Sequence, residues 1–252
     1  AIKKEKLESL FYDIEIPLSI VLMEMENEGI CLDTKSLSDF SVKLEESIKN
    51  LKSTIYGFSD IDFNIDSPKQ LGDILFNHLA LDDKAKKTKT GQYKTDEQTL
   101  QKLANKHQIV KEILEYRQQK KLQSTYVDAL PKLISSQTNR LHTTFMQTVA
   151  ATGRLSSTNP NIQNIPIKTE MGKEIRKAFI SRNKDYSILA ADYSQIELRI
   201  IAALSGDKSM IDAFKNNIDI HSSTAAKVFK VNFKDVTQEM RRKAKMVNFG
   251  II

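Results

Sequence analysis

Apolar residues in the first half of the chain recur at helical spacing. Leu37, Phe40, Leu44, Ile48, Leu51 and Ile55 form one continuous stripe. That period predicts a long amphipathic helix, with Asp33 placed to cap its start. Before it, Val21, Leu22 and Met25 share a face of a helix that follows Pro17 and that Gly29 would stop. After it, Ser67-Pro68-Lys69-Gln70 reads as a helix start, with Ser67 as N-cap, Pro68 in the first position and Gln70 reaching back. Leu71, Ile74, Leu75, His78 and Leu79 then fall on one face, which makes His78 a packed or boundary histidine rather than a ligand. Residues 82–93 carry Lys84, Lys86, Lys87 and Lys89 among Thr88, Thr90 and Gly91, too polar to bury, and predict an exposed loop. Thr95 with Gln98 restarts a helix, and the stretch through Lys102, Lys106, Lys111, Arg117, Lys120 and Lys121 is basic.

The texture changes after Pro131. Residues 140–149 are rich in Thr, Phe and Val with partial alternation, and residues 178–180 and 187–191 flank a polar turn. These segments read as antiparallel strands. Helices return beyond Asp192, with starts near Asp219 and near Asp235 or Thr237. His221 falls in the first turn of one, and residues 241–252 lie along another. No internal repeat is visible, and the fold class predicted is α+β.

Composition narrows the picture without deciding it. The 252 residues are 40% hydrophobic and 28% charged, with no biased tract, which describes an ordinary folded chain rather than a disordered one. A formal net charge of +6 favours polyanionic partners, although a solvated basic surface explains it equally well. Cys31 is the sole cysteine, which excludes an internal disulfide or a cysteine metal cluster and fits a reducing cytoplasm. No apolar run approaches the roughly 20 residues of a spanning helix, and the N-terminus has no signal-peptide pattern. The chain reads as soluble and cytoplasmic. It also reads as a fragment, since it has no initiator Met and its last residues still look helical.

Three segments carry chemistry. Asp192-Tyr193-Ser194-Gln195-Ile196-Glu197-Leu198-Arg199 follows the apolar run directly. An Asp at the end of a strand holds a carboxylate rigidly at a metal, or it caps a helix. In the second segment Arg241, Lys245 and Phe249 are spaced by four, so they lie along one slowly turning helical face. Two cations and an aromatic there can grip a triphosphate and stack a base. They can equally belong to an ordinary basic amphipathic helix, with Phe249 in the core. The third segment runs from Thr152-Gly153-Arg154 through Asn161-Ile162-Gln163-Asn164-Ile165-Pro166. Gly153 allows close backbone approach, and Arg154 with small amide and hydroxyl groups suits phosphate oxygens and minor-groove acceptors. A plain Asn and Pro turn cluster has the same composition.

Taken together, these segments resemble the family A DNA polymerases of the bacterial type. The resemblance implies a right-hand arrangement: a helical thumb over residues 1–130, the first part of an antiparallel palm sheet over 131–206, and the N-terminal part of helical fingers over 207–252. It implies that Asp192 binds two magnesium ions and that Tyr193 lends its backbone carbonyl. Glu197 matches the family's steric gate against a 2′-hydroxyl, with an ordinary first-turn glutamate as the alternative, and Gln195 joins the nucleotide-binding set. Arg241, Lys245 and Phe249 would hold the incoming dNTP, with Lys245 also protonating the leaving pyrophosphate. His221 matches a histidine that contacts the triphosphate, or is simply the histidine of a capped helix. Arg154 would touch the primer terminus, Gln163 and Asn164 the minor groove, and Arg117 and Lys121 the DNA backbone. Lys168 stands where bacterial relatives carry Arg, replacing a bidentate contact with a point charge.

The reaction implied is template-directed addition of dNTPs to a primer 3′-end, with Mg2+ as cofactor. Primer–template DNA and dNTPs are the partners, and the state implied is a monomer. The family takes a second catalytic Asp from a His-Asp-Glu triplet and continues its fingers helix into a Tyr-Gly pair. These residues hold no His-Asp-Glu triplet and no Tyr-Gly pair after the Arg241 to Phe249 run, so the chain alone is not expected to polymerise. A noncatalytic duplex-DNA-binding module is the alternative. A nuclease is a weaker one, since hydrolysis needs no triphosphate grip.

Overall fold

In the computed structural model, which describes residues 2–167 and 169–250, the long apolar stripe becomes the buried face of α2 (Thr34–Ser59). Lys168 and the Phe249 side chain lie outside the described residues. The chain divides into two compact units, Ala1–Ile188 and Leu189–Ile252. The boundaries expected at 130 and 206 each fall inside one of these units.

In the first unit, Leu37, Leu44 and Ile55 of α2 are essentially inaccessible, with Phe40 and Leu51 partly buried beside them. They pack against Ile109, Val110 and Ile113 of α5 (Gln108–Leu122), as two apolar stripes must when each removes the other from water. Asp33 caps α2 as predicted, accepting the Ser36 N–H at 3.0 Å. The helix α1 (Ile16–Glu28) ends at Gly29, whose φ of 60° favours glycine and whose N–H reaches the Met25 carbonyl. Of the expected α1 face only Leu22 is buried. Val21 and Met25 are half exposed, because the described residues cover α1 along one side only.

Two cap expectations are corrected in detail. Ser67 does cap α3 (Pro68–Asp73), but Gln70 does not reach back to it. The Ser67 N–H is already taken by the Asn64 carbonyl, so Gln70 Oε1 accepts the Asn64 N–H instead, at 2.8 Å. The next helix, α4 (Glu97–Ala104), is capped by Asp96 rather than Thr95. Thr95 is buried, and its carbonyl accepts from Arg117 Nη1. His78 is the boundary histidine expected, its Nε2 lying 3.0 Å from the Ser59 carbonyl. Residues 82–93 form a largely exposed loop closed by a bridge between Lys87 and Tyr93.

Among the described residues there are two sheets, each a short antiparallel pair. β2 (Thr144–Met146) faces β3 (Ser156–Thr158) with Phe145 opposite Ser157, and β1 (Cys31–Leu32) pairs with β4 (Phe179–Ile180). Between β3 and β4 lies α6 (Glu170–Lys177), whose Gly172 passes close to Pro166. The strand expected at 187–191 does not form. Its apolar side chains face outward, Leu189 at 90% exposure, and the described residues offer it no ladder partner. An unpaired extended segment leaves its N–H and C=O groups to water, so apolar character alone does not make it a strand.

The second unit contains α7 (Ile196–Ser205), α8 (Lys208–Lys215), α9 (Ile220–Phe229) and α10 (Gln238–Gly250). Thr237 starts α10, accepting the Met240 N–H at 3.2 Å. Buried Ile220 and Ala225 of α9 and Ala244 of α10 seal that pair, and Arg199 of α7 lies over the Phe214 ring of α8 at 4.4 Å. The architecture is helix-rich with small antiparallel sheets, in agreement with the α+β class. Among the described residues, no helix is long and apolar enough to cross a membrane.

Candidate functional site

Three of the residues singled out in the sequence, Gln195, His221 and Arg241, lie in the second unit around one carboxylate that was not singled out. Asp219 is the N-cap of α9, where an acidic side chain meets the unsatisfied N–H groups of the first turn. Its Oδ1 accepts the His221 N–H at 3.2 Å, and its Oδ2 accepts the Ser222 hydroxyl at 2.6 Å. Two further donors arrive from other elements. Gln195 Nε2 reaches Oδ1 at 3.1 Å, and Arg241 of α10 meets the carboxylate side-on, Nε at 2.6 Å from Oδ2 and Nη2 at 3.3 Å from Oδ1. Burial pushes the Asp219 carboxyl up. The hydrogen bond and charge of Arg241, with Ser222 and Gln195, outweigh it and hold the group well below the usual carboxylate range.

His221 is 2% exposed, and the Asn248 side-chain amide of α10 donates to its Nδ1 at 2.9 Å. An amide donating at Nδ1 goes with a neutral ring whose proton is on Nε2. Burial lowers the His221 pKa, Asp219 opposes the shift, and Arg241 and Lys245 add to it. Gln195 sits in the left-handed region with φ of 56° at the start of α7, and its Oε1 is buried without a partner among the described residues. Lys245 is exposed one turn beyond Arg241.

Asp192 and Tyr193 lie in the irregular stretch before α7, both exposed, Tyr193 at 80%. The Asp192 carboxylate makes no hydrogen bond or ion pair among the described residues, and no group of three His, Cys, Asp or Glu among them is arranged to hold a metal. One carboxylate and one backbone carbonyl are hard oxygen donors. They fit Mg2+, which takes one or two carboxylates and completes its shell with waters and phosphates. Glu197 is an exposed residue in the first turn of α7.

In the first unit, Gln163 and Asn164 share one loop. Gln163 Oε1 accepts the Ser157 N–H of β3 at 3.0 Å, and the Asn164 carbonyl accepts the Tyr126 hydroxyl at 2.6 Å. Burial raises the Tyr126 pKa, which keeps it a donor. Ser157 and Thr143, both buried, exchange a 2.6 Å hydroxyl bond beneath this loop and tie its backbone down through Pro160 and Ile162. Arg154 is exposed on the approach to β3. Arg117 is half-buried against Thr95, and burial lowers its pKa while Asp66 and Asp96 oppose the shift; Lys121, one turn on, is exposed. Sequence reasoning missed Asp219, Asn248 and Tyr126. Asp219 carried a signal in its N-cap position, and Asn248 in its seven-residue spacing from Arg241, which returns to the same helical face.

The profile of DNA polymerase family A matches residues 34–252. The chain belongs to that family. It is 50% identical over 243 residues to DNA polymerase I of Bacillus subtilis, covering 96% of this chain and 27% of that protein. It is 47% identical over 251 residues to DNA polymerase I of Geobacillus stearothermophilus, covering all of this chain and 28% of that one. The chain thus spans little more than a quarter of the length of these relatives. Among solved structures it resembles the POL domain of Pol1 from M. smegmatis in complex with DNA primer-template and dNTP. The TM-score is 0.90 at 42% identity, over 99% of this chain and 44% of that one.

Proposed function

We propose that the protein carrying this chain is a template-directed DNA polymerase that adds dNTPs to a primer 3′-end and releases pyrophosphate. The observation that carries this reading is the Asp219 cluster. It draws Gln195, from the Asp192 segment, together with His221 and with Arg241, from the basic helix, which are three separate elements of the nucleotide-handling pattern. The family membership supports it, as does the likeness to a POL domain described in complex with primer-template and dNTP.

In this reading residues 1–130 are the thumb, 131–206 the first part of the palm and 207–252 the first part of the fingers. Arg117 and Lys121 neutralise backbone phosphates. Gln163 and Asn164 face the minor groove, where acceptor positions vary little between base pairs, so that geometry is checked without reading sequence. Arg154 contacts the primer terminus. Arg241, Lys245 and the Nε2–H of His221 hold triphosphate oxygens, Phe249 stacks on the base, and Lys245 gives a proton to the leaving pyrophosphate. Glu197 blocks a 2′-hydroxyl. Asp192 and the Tyr193 carbonyl hold Mg2+, which when bound activates the primer hydroxyl and stabilises the leaving group.

With one motif carboxylate of the two the family uses, the 252-residue chain by itself binds primer–template without extending it. The test compares three proteins on the same primer–template: a protein of the relatives' length that contains these residues, its Asp192→Ala variant, and the isolated chain. Extension by the first alone is expected. Equal duplex binding with a steep salt dependence and no extension by any of them is the result expected of a noncatalytic DNA-binding module.

A further inference from the structure

We infer that Asp219 is a positioning residue for nucleotide binding: it holds the guanidinium of Arg241 side-on, so that its outer N–H groups present to a triphosphate. The inference rests on the nucleotide-binding role proposed above for Arg241.

A helix cap needs little of what Asp219 does. The cap is complete with the His221 N–H and the Ser222 hydroxyl. The bonds from Gln195 and Arg241 cross from positions 24 and 22 residues away and add nothing to capping. Five hydrogen bonds converge on two oxygens. An ionised carboxylate offers about four lone-pair directions, so Asp219 is saturated and unsuited to coordinate a cation. Its acceptor capacity is spent on fixing side chains.

The geometry at Arg241 is specific. A guanidinium has five N–H donors in a planar fork, and Asp219 takes one from Nε and one from Nη2. The other three make no hydrogen bond among the described residues and face away from Asp219 in the same plane. Without its partner the long side chain of Arg241, on a partly exposed helix face, samples many rotamers. With it, one edge is anchored and the opposite edge is prearranged for phosphate oxygens. The same carboxylate anchors the first turn that carries His221, so the two triphosphate contacts move as one unit.

The test uses the full-length protein and the variants Asp219→Asn, Arg241→Ala and both together. Asn is as good a cap as Asp and keeps an acceptor for the His221 N–H, but it cannot clamp a guanidinium as a carboxylate does. Asp219→Asn is expected to raise the KM for dNTP between about tenfold and a hundredfold and to lower the melting temperature, while the KM for primer–template, measured well below that melting temperature, stays near wild type. In the Arg241→Ala background the same change should add little, because its effect passes through Arg241. Affinity for inorganic tripolyphosphate, read by calorimetry, should fall by a similar factor in each single variant and no further in the double. An unchanged KM for dNTP in Asp219→Asn, or a full effect persisting without Arg241, overturns the inference. If the wild-type protein proves unable to extend primers, the polymerase reading fails by itself. The tripolyphosphate series then decides the positioning role: parallel loss in both single variants upholds it, and full affinity in Asp219→Asn overturns it.

Discussion

The hydroxyl of Tyr126 donates to the Asn164 carbonyl at 2.6 Å, joining the turn that follows α5 to the loop that carries Gln163 and Asn164. Tyr126 is 6% exposed, so the phenol fills the core while its one polar atom holds the loop. Tyr126→Phe keeps the ring and strands the carbonyl. Chemical denaturation should show a loss of about 1 kcal/mol, and duplex affinity should fall with it. Unchanged stability and affinity would mean that the loop is held by the Ser157 and Thr143 network alone.

Gly172 offers a sharper test of the same loop. Glycine inside a helix is ordinarily improved by alanine, by roughly 0.5–1 kcal/mol. Here an added Cβ would sit 2.6 Å from Pro166 Cβ and 3.0 Å from the Pro166 carbonyl oxygen, neither on a flexible chain end. Sterics should win, and Gly172→Ala is expected to destabilise by about 1–3 kcal/mol. A stabilised variant would show that α6 can move away from Pro166 at no cost.

Much of this was legible in the sequence, and the exceptions share a cause. The α2 stripe, the caps at Asp33, Ser67 and Asp219, the loop at 82–93 and the boundary role of His78 all follow from residues within a few positions of each other. The partner of Phe179–Ile180 did not, because a ladder depends on a second strand, and that strand is Cys31–Leu32, far upstream. Residues 187–191 have strand-like apolar character and no partner, a difference that local pattern cannot express. Asp219 illustrates the limit within the site. Its cap was visible from its own neighbours, whereas its hold on Gln195 and Arg241 exists only once three elements meet.

Acid should weaken the second unit in two stages. His221 is held below its ordinary 6.5 chiefly by burial, so as pH falls below that value the unfolded chain takes up a proton that the folded chain does not. Stability is therefore complete above about pH 6.5 and declines below it. Asp219 is held below its ordinary 3.8, so its contribution stays intact above that value and is lost as pH falls through the folded pKa. Urea midpoints measured between about pH 7.5 and pH 5 should fall with pH, and His221→Gln should flatten that slope. A midpoint that rises toward pH 5 would contradict the direction.

Glu197 is exposed in the first turn of α7, and the proposed function gives it the exclusion of a 2′-hydroxyl. Glu197→Ala in the full-length protein should raise the ratio of ribonucleotide to deoxynucleotide insertion by at least about tenfold. An unchanged ratio would return Glu197 to the role of an ordinary helix residue.

The most direct test is single-nucleotide insertion by the full-length protein, with pyrophosphate release followed alongside, for the wild type and Asp192→Ala in magnesium. The wild type should insert only the templated dNTP and release one pyrophosphate per insertion, and Asp192→Ala should bind the same duplex while losing insertion by several orders of magnitude. Insertion that survives Asp192→Ala would contradict the catalytic role of Asp192, and a wild type that binds duplex and inserts nothing would contradict the polymerase assignment.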